Sequence, residues 1–177
     1  MRVLIVRHGE TKENVRHICQ GQSHGTLTAK GCEEAMALGK ELASEPVVCC
    51  YSSDLRRASD TAKLILSEHE GEAVPLVLDP RLRERYFGSF EGKVFPPYSD
   101  EVVPVEEVEK APEIALRLLS FFEEITPLYG ESETVMIVSH GYTLRVLFAL
   151  LEGIPFDRLG EVPTPANCSV RAYTVRP

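Results

Sequence analysis

Two stretches of this sequence carry an apolar run into a histidine and a glycine: VLIVRHG at residues 3–9 and MIVSHG at residues 136–141. A third, VVCCYSSDLRRA at residues 47–58, runs into Arg56 and Arg57. Imidazole changes charge near neutral pH and can attack phosphorus through a ring nitrogen. Guanidinium forks match phosphate oxygens two at a time. If the fold gathers His8, His140 and at least two arginines at one place, the constellation suits a phosphoryl group.

The surrounding pattern states how that gathering would occur. Strand-like runs cover residues 2–8, 47–53, 75–79, 134–140 and 169–175. They are apolar along most of their length, as strands covered on both faces are. Between them, residues 28–43, 55–70, 104–125 and 143–153 place apolar side chains at helical spacing. Thr28 and Asp54 stand where they would cap the first two helices, and Gly71 and Gly153 where helices would stop. Pro112 marks either a kink in the third helix or a start near Ala111. Strands joined by helices predict an α/β fold, a three-layer α/β/α sandwich with a mostly parallel central sheet. Ligands collect at the carboxyl ends of such strands, the edge to which His8, His140 and the Arg56–Arg57 pair would all come. Adjacent on one helix start, at most one of those arginines is expected to face a pocket.

Composition bounds the alternatives. With 177 residues, 44% hydrophobic and 26% charged, the chain is expected to form a single domain over residues 1–177. The least regular stretch, residues 91–104, reads as a short cap over the site. A formal charge of −8 argues against nucleic acid and anionic membrane surfaces as partners, so an anionic ligand would need a local basic pocket. The five cysteines show no C-x-x-C spacing and read as reduced, buried thiols. No apolar run approaches the length of a membrane span, and a soluble cytoplasmic protein is the expectation.

In order along the chain, RHGET, SSDLRRASDTA, LRERYFGSFEG and SHGYTLR resemble the motifs of the histidine phosphatase superfamily, the phosphoglycerate mutase-like family, from residue 2 to about residue 153. The resemblance implies His8 as nucleophile, Arg7 and Arg56 as phosphate-binding arginines, and His140 as a donor to the transferring group. It implies Glu84 as the proton donor for the leaving oxygen. Asn14, the Gln20–Gly21 pair and Gly141 match positions around the phosphate. His8 would attack in line to give a phosphohistidine, which water would then open with Glu84 as base. No metal and no cofactor enter this scheme.

Glu10 and Glu91 compete with Glu84 for the carboxyl role, Glu10 also reading as an ion-pair partner. His24 stands where relatives often carry aspartate, and so would touch substrate or replace a structural acid; His69 reads as solvated. A metal site from His8, His17 and His24 is not expected. The short cap, which would admit water, and the NCS segment at 167–169 favour a phosphatase over the alternative, a cofactor-dependent phosphoglycerate mutase-like phosphotransferase. A small phosphorylated metabolite is the expected substrate. Arg16, His17, Lys93 and Tyr98 are candidates for a second group on it, and Tyr142 would stack or fill space. Oligomeric state stays open, a homodimer included.

Overall fold

A computed structural model of the chain describes residues 1–94 and 107–176. Five strands form one sheet: β1 (Arg2–Arg7), β2 (Val47–Ser52), β3 (Leu76–Leu78), β4 (Thr134–Ser139) and β5 (Val170–Thr174). Their spatial order is β3-β2-β4-β1-β5. β3, β2, β4 and β1 pair in parallel, while β5 runs antiparallel along β1. The helices are α1 (Lys12–Val15), α2 (Ala29–Glu41), α3 (Arg56–Leu66), α4 (Ala111–Ile125) and α5 (Gly141–Glu152). The expected mixed α/β architecture is present, with helices against both faces of a mostly parallel sheet. The four-residue α1 and the antiparallel sense of β5 were not read from the sequence.

The two-residue period of the strands divides the core. Val3 and Ile5 of β1 and Val135 and Ile137 of β4 pack with Ile114, Leu118 and Phe121 of α4 and Leu144, Leu147 and Phe148 of α5. Leu4, Val6, Met136 and Val138 take the opposite face, with Ala35 and Leu38 of α2 and Ala58, Ala62 and Ile65 of α3. Strands apolar on both faces thus serve two helical layers, each fully buried aliphatic side chain contributing roughly 2 kcal/mol by removal from water. The run at 75–79 departs from this reading, because β3 is an edge strand with Val77 and Leu78 exposed.

Helix boundaries report local chemistry. Thr28 caps α2, its hydroxyl accepting the Gly31 N–H at 2.9 Å. Asp54 does not cap α3: its carboxylate takes the Arg83 guanidinium at 2.7 and 2.5 Å, and the His24 ring accepts the Arg56 N–H at 3.3 Å instead. Pro112 lies in the first turn of α4, so the helix starts at Ala111 rather than 104. α3 ends at Leu66, short of Gly71, whereas Gly153 closes α5 in a left-handed conformation, φ 68°. All five cysteines are free; Cys19, Cys49 and Cys50 are buried, but Cys32 and Cys168 only half so. Of the cap expected at 91–104, residues 95–104, Tyr98 among them, lie outside the described residues.

The turn after β1 is wedged against the start of α2. A Cβ on Gly9 would stand 2.7 Å from the Gly31 carbonyl oxygen, and one on Gly31 would stand 2.2 Å from that of Glu10. These neighbours are backbone and cannot swing away. Alanine in a helix gains about 1 kcal/mol over glycine, yet overpacking costs about 1–3 kcal/mol, and a 2.2 Å approach decides the sign. Gly31→Ala is expected to lower the urea midpoint of unfolding; a raised midpoint would show that the turn and the helix are not in contact.

Candidate active site

β1 and β4 are in register, Arg7 opposite Ser139, so the next residue of each strand, His8 and His140, emerges at the same edge. The two ring centroids are 5.2 Å apart at an angle of 58°. His8 is 2% exposed and His140 not at all. The Nδ1 of His8 lies 2.7 Å from the Gly9 carbonyl oxygen. A carbonyl can only accept, so Nδ1 carries the proton and Nε2 keeps its lone pair. Burial first, then the charges of Arg57 and Arg7, holds His8 well below the usual imidazole range. His140 is held down likewise, by burial and then by Arg57. Both rings are therefore neutral at physiological pH, and the Nε2 lone pair of His8 is chemically able to attack an electrophile.

Arg57, not Arg56, brings the second guanidinium to this edge. On α3, Ala58, Ala62 and Ile65 face the core, and that stripe carries Arg57 and Thr61 inward with it. Arg56 belongs to the outer side and is exposed, and it is absent from the cavity lining. The same stripe, visible in the sequence, could have separated the two. Arg57 is 1% exposed and donates only to backbone carbonyls, those of Ser23, of Gly21 at 2.8 Å and of His24 at 3.4 Å. Burial with no carboxylate in direct contact pulls its pKa down to about 10. Arg7 is lowered by burial too and donates to the Pro165 carbonyl at 2.6 Å.

A cavity of about 300 Å³ opens on this edge, lined by Arg7, His8, Asn14, Gln20, Gly21, Arg57, Glu84 and Gly141 among others. Of the site residues expected from sequence, seven come together here, Arg57 standing where Arg56 was expected, and His140 stands behind His8 as its ring neighbour. Asn14 is fixed by α1, its Oδ1 accepting from the Thr11 N–H at 3.1 Å and hydroxyl at 3.0 Å. Gly21 has φ 48°, a conformation that favours glycine, and its carbonyl anchors Arg57. Several buried polar atoms here have no partner among the described residues: Nε of Arg7, Nε of Arg57, both ring nitrogens of His140, and Oε1 of Gln20. Buried donors are ordinarily satisfied, and a tetrahedral oxyanion, all acceptors, is the group that would satisfy the guanidinium ones.

The carboxyl rivals separate cleanly. Glu84 Oε1 accepts from the N–H groups of Arg85 at 2.9 Å and Thr143 at 3.0 Å and from the Thr143 hydroxyl at 3.1 Å, while Oε2 accepts from the Tyr142 N–H at 3.1 Å. It thereby caps α5, whose first N–H groups would otherwise lack acceptors. Glu91 instead ties loops together, accepting from the N–H groups of Gln22 at 2.9 Å and Phe87 at 3.1 Å. Glu10 takes the Thr28 hydroxyl at 2.9 Å and Lys30 at 3.4 Å, and neither it nor Glu91 lines the cavity. His24 serves α3 and is not a lining residue; His17 and Tyr142 are, whereas Arg16 and Lys93 are not. Phe87 and Thr164 line it as well, unanticipated because nothing in their local sequence marks them. No group of three or more metal-ligating side chains occurs among the described residues, and no helix there is long and apolar enough to cross a membrane.

Two buried neutral imidazoles make stability pH-dependent in a definite direction. Below about 6.5 the unfolded chain binds protons that the folded His8 and His140 refuse. Stability is full above that value and falls with pH, on the order of 1 kcal/mol per histidine per pH unit. Urea titrations between pH 7.5 and 5 should show this loss, and His140→Gln should flatten the slope by about half; an unchanged slope would mean that His140 takes up its proton in the folded state.

A family model described as the histidine phosphatase superfamily (branch 1) matches residues 3–177. Among curated proteins, the glucosyl-3-phosphoglycerate phosphatase of Mycolicibacterium vanbaalenii is 31% identical over 187 residues, 95% of this chain and 81% of its own. The 2,3-bisphosphoglycerate-dependent phosphoglycerate mutase 2 of Gloeobacter violaceus is 30% identical over 174 residues, 90% of this chain and 80% of its own. Among solved structures, Bacillus stearothermophilus YhfR superposes with a TM-score of 0.88 at 31% identity, over 99% of this chain and 91% of that one. With the matched span running from the first strand through the last, the chain belongs to the histidine phosphatase superfamily, branch 1.

Proposed function

We propose that this protein is a metal-independent phosphatase that hydrolyses a small phosphomonoester through a phosphohistidine on His8. One observation carries the reading: two buried guanidiniums, each with an unpartnered Nε, share an edge with an imidazole whose Nδ1–H is held by a carbonyl. Nε2 of His8 attacks phosphorus as the bond to the alcohol oxygen breaks, and Glu84 gives that oxygen its proton. Water then attacks the phosphohistidine, the P–N bond breaks, and Glu84 takes the water's proton, leaving inorganic phosphate. Arg7, Arg57 and His140 hold the equatorial oxygens in a water-poor site, where fixed charges stabilise the transferring group most. Arg57 replaces Arg56 in this assignment.

What supports hydrolysis over transfer is the brevity of the sequence between Val94 and Glu107, twelve residues at 95–106, since a site that excludes less water favours hydrolysis of the phosphohistidine. The relatives include both phosphatases and mutases, so the choice rests on this chain. Its five free thiols suit a reducing, cytoplasmic setting.

Phosphate release from a panel of phosphomonoesters in the presence of chelator is the direct measurement. Activity is expected without added metal and without a bisphosphorylated primer, and His8→Ala should lower kcat by about 10³-fold or more. Quenching with denaturant at alkaline pH, where the P–N bond survives, should trap phosphate on His8 by mass spectrometry. A strict primer requirement with transfer back to a sugar acid would reverse the choice, and survival of activity in His8→Ala would end the mechanism. Separately, Arg57→Ala should cost about 10²-fold or more in kcat/KM, since a charge-assisted contact to the transferring group is lost. Arg56→Ala should stay within about twofold, and equal losses would return Arg56 to the site.

A further inference from the structure

Beyond the phosphoryl-binding end, the cavity wall changes character. Ile18, Cys19, Phe87, Tyr142 and Thr164 line it. The guanidinium of Arg85 sits 5.1 Å from the Phe87 ring centroid and 4.4 Å from that of Tyr142, while its Nε donates to the Glu109 carbonyl at 2.7 Å. Arg145 lies 5.6 Å from the Tyr142 centroid and donates to the Val162 and Leu159 carbonyls at 2.8 and 2.7 Å. Two cations are thus used to brace aromatic rings, and neither lines the cavity.

What this wall lacks is equally specific. Among the described residues, Arg7 and Arg57 are the only lysines or arginines that line the cavity, and both serve the phosphoryl end. Residues 95–106, FPPYSDEVVPVE, contain no lysine or arginine and three acids, so they can supply no cation to it. His17 is the remaining basic side chain on the lining. Against it stand carboxylates: burial first, then Glu91 and Glu84, pushes the Cys19 thiol up to about 12.

We infer that the alcohol portion of the substrate is uncharged and carries a flat ring held against Phe87 and Tyr142, and that a second anionic group, a carboxylate or another phosphate, is selected against. This rests on the hydrolase reading above and names its substrate class. A ring on an aromatic wall gains both area burial and stacking, while a second anion would give up water with no lysine or arginine on the described part of this wall to pair with it, which is discrimination by an unpaired charge.

Benzyl phosphate, 4-carboxybenzyl phosphate and methyl phosphate test it, since the first two differ in one charge far from the reacting oxygen. Benzyl phosphate is expected to exceed 4-carboxybenzyl phosphate by about tenfold or more in kcat/KM, mostly through KM. Tyr142→Ala should raise KM severalfold for benzyl phosphate and less for methyl phosphate. Thr164 is exposed, so Thr164→Lys should fold, and by placing a cation on the wall it should narrow the gap by improving the carboxylated ester. Equal or better turnover of 4-carboxybenzyl phosphate, a gap unmoved by Thr164→Lys, or equal KM effects of Tyr142→Ala on both uncharged esters would overturn the inference. Phosphate released from none of the three esters would instead count against the hydrolase reading itself, which separates the two failures.

Discussion

The site depends on one register. β1 and β4 lie side by side in parallel with Arg7 opposite Ser139, and only because they do can residues 132 positions apart, His8 and His140, share one edge with ring centroids 5.2 Å apart. A slip of one residue would exchange the faces of the strand and send Val3 and Ile5 into the layer built for Leu4 and Val6. The two hydrophobic layers therefore guard the catalytic geometry. β5 secures the same edge from the other side: the Asn167 amide donates to the His8 carbonyl at 2.8 Å, and the Cys168 N–H to the Arg7 carbonyl at 3.1 Å. His8 is thus held between the parallel neighbour of β1 and the segment that leads into its antiparallel one.

Electrostatics then distinguish this edge from the rest of the surface. Elsewhere several arginines meet carboxylates: Arg83 with Asp54 at 2.5 Å, Arg117 with Glu109 at 2.7 Å, Arg81 with Asp79 at 2.6 Å, Arg158 with Glu161 at 2.6 Å. Arg57 is 1% exposed, yet among the described residues the hydrogen bonds of Arg7 and Arg57 go to carbonyls alone. Burying a guanidinium without a counter-charge is costly, and carbonyl dipoles offset only part of that cost. In a chain of net charge −8 the acids to neutralise them are plentiful. Leaving these two without one makes sense if an anion completes the arrangement, and it also explains why two imidazoles beside them stay neutral.

Much of this was legible from residues alone. Apolar runs capped by His-Gly gave the strand ends, because a strand's period and its burial on both faces leave a plain signature. Thr28 and Gly153 behaved as cap and stop because their effects are local. Asp54 did not, since a distant Arg83 outcompeted the helix end for its carboxylate and left that end to His24. Arg56 was preferred over Arg57 by motif position, while the stripe Ala58, Ala62, Ile65 pointed to Arg57. Phe87 and Thr164 were beyond reach, because loops far apart in sequence meet at the cavity only through the finished fold.

The position of Glu84 shows how the same elements govern both ends of the reaction. α5 begins at Gly141, directly after His140, so the helix that follows one imidazole presents its first N–H groups to the carboxyl proposed to carry the proton. Oε1 takes three donors and Oε2 one, which fixes the carboxyl plane and leaves Oε2 with the greater capacity to exchange a proton. A single carboxyl that gives a proton in the first half-reaction and takes one in the second must not drift between them. The helix start anchors Glu84 to the same strand end that delivers His140, so displacing it means breaking its bonds to the Tyr142 and Thr143 N–H groups, which are held in turn by β4, whose six residues are all buried.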